Sequence, residues 1–252
     1  MSKRIVIIGS RDIQTEERDF LILLTYHAIL MGYRVDSGLA PGSDDASYLG
    51  AVTACNAILS NEKTAKHLGM EGLDRDQVMD RIMRGYLPWR GFEGHYPASN
   101  HIQDIGDKSS ELREKAYGMV RKHHKMFTSL EWGNISGTSP VLHGHVDDAR
   151  KWENFIKKAR NINKLMTRNC FEVLGDDLDS LPDMIISCAF GSKFDDDGKL
   201  ADCSGGTGMA VRLGHELGVT QYNIRVPRHT DEIGAMVTEW SGHLKCIIPT
   251  NT

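Results

Sequence analysis

The sequence predicts an α/β fold, a Rossmann-like doubly wound and mainly parallel sheet with a helical insertion, on three observations. The chain opens with a short β-branched run, Arg4-Ile5-Val6-Ile7-Ile8-Gly9, of the kind a strand buried on both faces requires. Apolar runs alternate with helical periodicity at both ends of the chain, which implies right-handed crossovers between parallel strands. Two glycine-rich turns, Gly38 to Asp44 and Ser204 to Gly208, each sit where an apolar run meets a helical pattern.

The elements follow in order. Arg4 to Gly9 is the first strand. Phe20, Leu23, Leu24, His27, Ala28 and Met31 then recur at helical spacing, and Gly32 stands where a C-cap glycine would, giving a helix from Glu16 to Met31. Tyr33 to Ser37 reads as the second strand. Ser43-Asp44-Asp45 opens the next helix, with Asp44 read as its N-cap or as a ribose contact. From about residue 60 to 145 the rhythm breaks. Helical patterns near Asp74 to Arg84 and Ser109 to Phe127 flank an aromatic loop, no buried strand is evident, and the segment reads as an insertion into a single domain spanning 1–252. Asp147 to Arg168 is strongly helical, with Trp152, Phe155, Ile156, Ala159, Ile162 and Met166 on one face. Pro182 to Ala189 is a buried strand, Gly206 to Leu217 a helix, Val219 to Val226 a strand, Thr230 to Trp240 a helix, and Leu244 to Pro249 a last strand.

Composition narrows the functional classes. A chain of 252 residues builds a core without disulfide staples. Thirty Lys and Arg against 34 Asp and Glu, a formal charge of -4, argue against indiscriminate polyanion binding over the whole surface. Five scattered cysteines, Cys55, Cys170, Cys188, Cys203 and Cys246, suit buried thiols in a reducing compartment, and neither a signal peptide nor an apolar span long enough for a membrane is present, so a cytoplasmic location is expected.

The chemistry concentrates in the turns. Gly9-Ser10-Arg11 follows the first strand, at the edge where open α/β sheets place ligands, and arginine grips phosphate through two parallel hydrogen bonds. The second turn adds Gly38, Gly42, Ser43 and the Asp44 carboxylate. The third, Ser204-Gly205-Gly206-Thr207-Gly208, is the strongest anion cradle, because a helix opens there with no bulky side chain and its N–H groups carry partial positive charge. Trp89 and Phe92, in the aromatic loop, are candidates to stack on a base, and Arg160 and Arg168 are the candidate contacts from the long helix. The glycines fit neither a Walker P-loop nor the dinucleotide fingerprint, the histidines (His123-His124, His143 and His145, His215) lack metal-ligand spacing, and no nucleophile elbow occurs, so no metal and no cofactor are expected. Asp195-Asp196-Asp197-Gly198 lacks the closing glutamate of a calcium loop and reads as a solvated hairpin or loop.

With these residues in hand, the chain resembles the SLOG superfamily, the Rossmann-like group that joins DprA/Smf DNA-processing proteins with the Lonely Guy phosphoribohydrolases. Gly9-Ser10-Arg11 and Gly32-Tyr33-Arg34-Val35-Asp36-Ser37-Gly38-Leu39-Ala40 with Gly42, Asp44 and Ala46 are similar to the DprA pattern, and Ser204 to Gly208 is closer to the glycine turn of the phosphoribohydrolases. Arg168-Asn169 and Val173-Leu174-Gly175 ahead of that turn resemble phage-encoded DprA-like proteins. The motifs cover about the first sixty and last ninety residues.

The resemblance implies a pocket for a phosphorylated nucleoside or nucleotide-derived signalling molecule, bound and sequestered, in an anti-defence role if the chain comes from a phage. It also implies a homo-oligomer, since relatives of this fold pair through helices. Two alternatives stand beside it: a nucleoside 5'-monophosphate N-glycosidase and a single-stranded DNA-binding recombination mediator. Whether the protein is an enzyme stays open. The glutamate that acts in the phosphoribohydrolases aligns with Arg212, with Glu216 one helical turn on, and a cation there removes stabilisation of an oxocarbenium-like transition state. Glu93 substitutes only if the insertion folds over the pocket.

Overall fold

The computed structural model describes residues 3–123 and 149–247. Its strands are β1 (Arg4–Gly9), β2 (Arg34–Ser37), β3 (Met83–Leu87), β4 (Ile102–Asp104), β5 (Met184–Cys188), β6 (Lys193–Phe194), β7 (Leu200–Asp202) and β8 (Thr220–Asn223). Six of them form one all-parallel sheet in the order β4-β3-β2-β1-β5-β8, and β6 pairs antiparallel with β7 as a separate hairpin. This is the doubly wound α/β architecture the sequence predicts.

The alternation of β1 shows why the sheet needs two covering layers. Ile5 and Ile7 point into one apolar cluster and Val6 and Ile8 into the other, all four buried. The first cluster gathers α1 (Thr15–Leu30), α2 (Ser43–Ser60), α4 (Arg75–Ile82) and α8 (Pro227–Ile247); short α3 (Glu62–His67) lies between α2 and α4. The second gathers α5 (Ser110–His123), α6 (Ala149–Leu174) and α7 (Thr207–Glu216). Strands step outward from β1 through β2 to β3 with helices on one face, then from β5 to β8 with α7 on the other. Right-handed crossovers in opposite directions require that arrangement.

Polar residues tie the layers together. Arg4, buried at the amino end of β1, donates Nη1 to Asp36 Oδ2 at 2.7 Å and to the Glu172 carbonyl at 3.0 Å, and Nη2 to the Val173 carbonyl at 2.8 Å. A cation on the last carbonyls of α6 satisfies groups that the helix end leaves open.

Three expectations are corrected. The segment at about 60–145 contributes two sheet strands, β3 and β4, where the sequence offers none. Leu244, expected to open a last strand, lies inside α8; Ile233, Val237, Trp240 and Leu244, spaced four, three and four apart, bury one helical stripe against the first cluster. The helix after β2 is capped by Gly42, not by Asp44. The acidic run Asp195 to Gly198 does join a hairpin, β6 to β7. The end of the helix expected to reach Phe127, together with His143, His145 and residues 248–249, lies outside the described residues. Among the described residues no helix is long and apolar enough to cross a membrane.

Candidate functional site

The strand order reverses between β1 and β5, the switch point where open α/β sheets leave a crevice at their carboxyl ends. A cavity of about 640 Å³ opens there. The end of β1 and the loop after it supply Gly9, Ser10 and Arg11 to its lining, and the loop after β5 supplies Ala189 and Phe190. The loop after β2 supplies Ala40 and Asp44, and the turn before α7 supplies Ser204, Gly205, Gly206 and Thr207. One flank of α6 closes the wall with Ile162, Leu165, Met166, Arg168 and Asn169. Apolar walls with a few converging polar groups, in a volume of this size, are the usual make-up of a small-molecule site.

The turn before α7 is shaped for an anion. Gly205 takes a left-handed φ of +75° with open space where a Cβ would be, and Gly206 follows at φ -64°, ψ -31° with no side chain capping the helix. A left-handed residue followed by a right-handed one turns successive N–H groups toward one point, at the positive end of the helix dipole. Asn169 Nδ2 donates to the Gly206 carbonyl at 3.2 Å and anchors the turn to α6.

The same lining holds a buried carboxylate. Asp44 is 1 % exposed and lines the cavity. Its Oδ2 accepts from the Ala40 amide at 3.3 Å and from Arg168 Nη1 at 3.4 Å, while Oδ1 has no partner of hydrogen-bonding geometry. Burial pushes Asp44 up to about 6, although Arg168 and the amides of Ala40 and Gly9 pull the other way. Behind it sits Glu172, fully buried, with neither oxygen hydrogen-bonded and only the Arg168 guanidinium at 3.2 Å. Burial pushes Glu172 up to about 8, with Arg168 opposing and the Asp44 and Asp36 carboxylates adding to the rise.

The two arginines of the lining differ. Arg168 is 5 % exposed and already committed: Nη1 donates to the Gly38 carbonyl at 2.7 Å, Nη2 to Asn169 Oδ1 at 2.9 Å, and Nε faces Glu172. Arg11 leaves 55 % of its side chain exposed and pairs at the rim with Glu93 at 2.9 Å. It is the cation better placed to turn toward a ligand.

The other sequence candidates do not line the cavity, for reasons of packing. Gly38 is glycine because a Cβ would overlap the Arg168 guanidinium and the Glu172 carboxylate. Gly42, at φ +89°, presses on the Ser10 and Arg11 carbonyls, and Ser43 donates both N–H and Oγ–H to the Ser10 carbonyl at 3.1 Å. That turn braces the β1 loop. Gly208 packs against the Cys203 carbonyl. Phe92 is 2 % exposed in the first cluster, and Trp89, half-buried, meets it edge to face at 5.1 Å. Both rings of that loop are spent on the core. Arg160 is exposed on α6, away from the lining.

Arg212 pairs with Asp202 and donates Nε to the His123 carbonyl at 2.7 Å, on the far side of the glycine turn. Glu216 pairs with Lys122 on the surface. Among the described residues, Asp44 is the one carboxylate in the cavity lining.

Phe190, Asn169 and the apolar flank of α6 are absent from the sequence-derived candidates. The signal for Phe190 was present: it stands two residues past β5, as Arg11 does past β1. No protein-family model, no curated protein and no solved structure matches the chain.

Proposed function

We propose that the switch-point cavity binds a phosphorylated nucleoside or a nucleotide-derived signalling molecule, and that the protein sequesters it. One observation carries this reading: the uncapped glycine turn at the start of α7 and the buried carboxylate of Asp44, whose Oδ1 accepts no hydrogen bond, line the same cavity. The turn suits the phosphate. Asp44 Oδ1, which accepts no hydrogen bond of good geometry within the fold, is the acceptor proposed for a ribose hydroxyl, which donates. Arg11 completes the phosphate site by leaving Glu93. The resemblance to the SLOG superfamily points to the same ligand class, and within that reading the protein is a cytoplasmic homo-oligomer.

A second reading, the nucleotide N-glycosidase, is favoured by one feature. Asp44, pushed up to about 6, is able to hold or release a proton near neutral pH, as general acid–base work requires. Arg212, standing where the phosphoribohydrolases carry their glutamate, counts against the family's own route.

The test is thermal unfolding of the whole protein with adenosine, guanosine, cytidine and uridine 5'-monophosphates, the free nucleosides, and inorganic phosphate, followed by chromatography of the ligand. A ligand at a hundred times its Kd stabilises the fold by about 2.7 kcal/mol, several degrees in midpoint. Sequestration predicts a rise with at least one monophosphate, little with the matching nucleoside, and intact ligand afterwards. Free base, released by the parent and not by Asp44→Asn, selects the glycosidase. No shift with any monophosphate overturns the phosphorylated-nucleoside reading, and salt-sensitive oligonucleotide binding in its place would favour the DNA mediator.

A further inference from the structure

Phe190 is the odd residue of the cavity. It leaves 61 % of its surface exposed, so burial does little to hold it, and backbone hydrogen bonds and a stacked cation position it instead. Its carbonyl accepts from the Ser204 amide at 2.8 Å, which ties it directly to the glycine turn. On either side of it, Asn223 at the end of β8 accepts from the Ala189 amide at 3.1 Å and donates to the Ala189 carbonyl at 2.7 Å and to Ser192 Oγ at 2.8 Å.

One face of the ring is taken. The Arg225 guanidinium lies 3.7 Å from the ring centroid, and it is itself held in place. Nε and Nη2 grip the two Glu17 oxygens at 2.6 and 2.7 Å, and Nη2 also donates to the Asp12 carbonyl at 2.8 Å. Glu17 is drawn below the ordinary carboxylate range, first by its hydrogen bond from Arg225. A fixed cation against a fixed ring makes a rigid stacked pair whose remaining exposed surface adjoins the cavity.

We propose that Phe190, backed by Arg225, is the stacking platform for the flat heterocycle of the ligand, which makes the ligand class base-bearing and not a simple sugar phosphate. This rests on the function proposed above and deepens it. Stacking is tolerant of base identity because every base has a π-face, so the platform selects for an aromatic ring without choosing among bases. The role expected of Trp89 and Phe92 passes to Phe190, because Phe92 is buried in the core and Trp89 packs against it outside the cavity lining.

Isothermal titration of the parent, Phe190→Ala and Phe190→Trp with the four nucleoside 5'-monophosphates and with ribose 5-phosphate tests this. Phe190→Ala is expected to fold as the parent does and to weaken binding of the preferred monophosphate about ten- to a hundredfold, with ribose 5-phosphate unchanged and Phe190→Trp restoring affinity. Monophosphate binding unaltered in Phe190→Ala, or equal losses for the monophosphate and ribose 5-phosphate, overturns the platform and leaves the phosphate site standing. A parent that binds neither class of probe overturns the site and the platform together.

Discussion

Asp44 and Glu172 share one guanidinium, and both carboxyls are buried, Asp44 against the cavity lining. Both are pushed up, Asp44 to about 6 and Glu172 to about 8, so the folded protein keeps protons that the unfolded chain has already released. Stability therefore falls as pH rises through the window between the unfolded and folded values, from about 4.5 to about 8 for Glu172. His123 and His229, both lowered by burial, act oppositely below their ordinary range, so a variant must be compared with the parent at each pH. Denaturant unfolding of Glu172→Gln is predicted to gain on the parent with rising pH across that window, at up to ~1.4 kcal/mol per pH unit. Parallel curves for the two proteins would show that Glu172 does not carry the buried proton. Legibility at this scale was uneven. Ser10, Arg11 and the turn from Ser204 to Thr207 announce themselves by composition at strand ends. Gly38, Gly42 and Gly208 carry the same glycine signal for a different cause, since a missing side chain serves a ligand and a close-packed neighbour equally well.

At the scale of elements, the strands that the sequence hides are hidden for physical reasons. β3, Met83-Arg84-Gly85-Tyr86-Leu87, follows α4 without a linker and holds a glycine whose place is filled by the Leu39 side chain and an arginine facing Asp176 at 3.5 Å. β4 is three residues long, too short to show a period. The end of α8 misleads in the opposite sense: an apolar run before Pro249 looks like a strand, but the stripe through Ile233, Val237, Trp240 and Leu244 packs on the first cluster, and tertiary burial outweighs local preference. Trp240, 7 % exposed and 5.5 Å from the Tyr33 ring, anchors that helix. Trp240→Ala is predicted to cost about 3–5 kcal/mol in urea unfolding with nucleotide affinity kept in the folded protein. A loss below 1 kcal/mol would mean that the helix does not dock as described.

At the scale of the molecule, the site exists because the strand order of the parallel sheet reverses between β1 and β5. Parallel strands carry their carboxyl ends to one edge, so loops separated by almost 180 residues along the chain, after Gly9 and after Cys188, open side by side. The glycine turn then joins them through the bond from Ser204 to Phe190, and α6 lays its flank across the top. Hydrogen exchange of the intact protein, read by mass spectrometry with and without the tightest-binding nucleoside monophosphate, tests that convergence most directly. Protection appearing together in Ser10 to Asp12, Ala189 to Gly191 and Ser204 to Met209 is the predicted result. Protection confined to one of those segments, or centred on the separate cavity between β8 and the β6–β7 hairpin around His215 and Arg228, would contradict it.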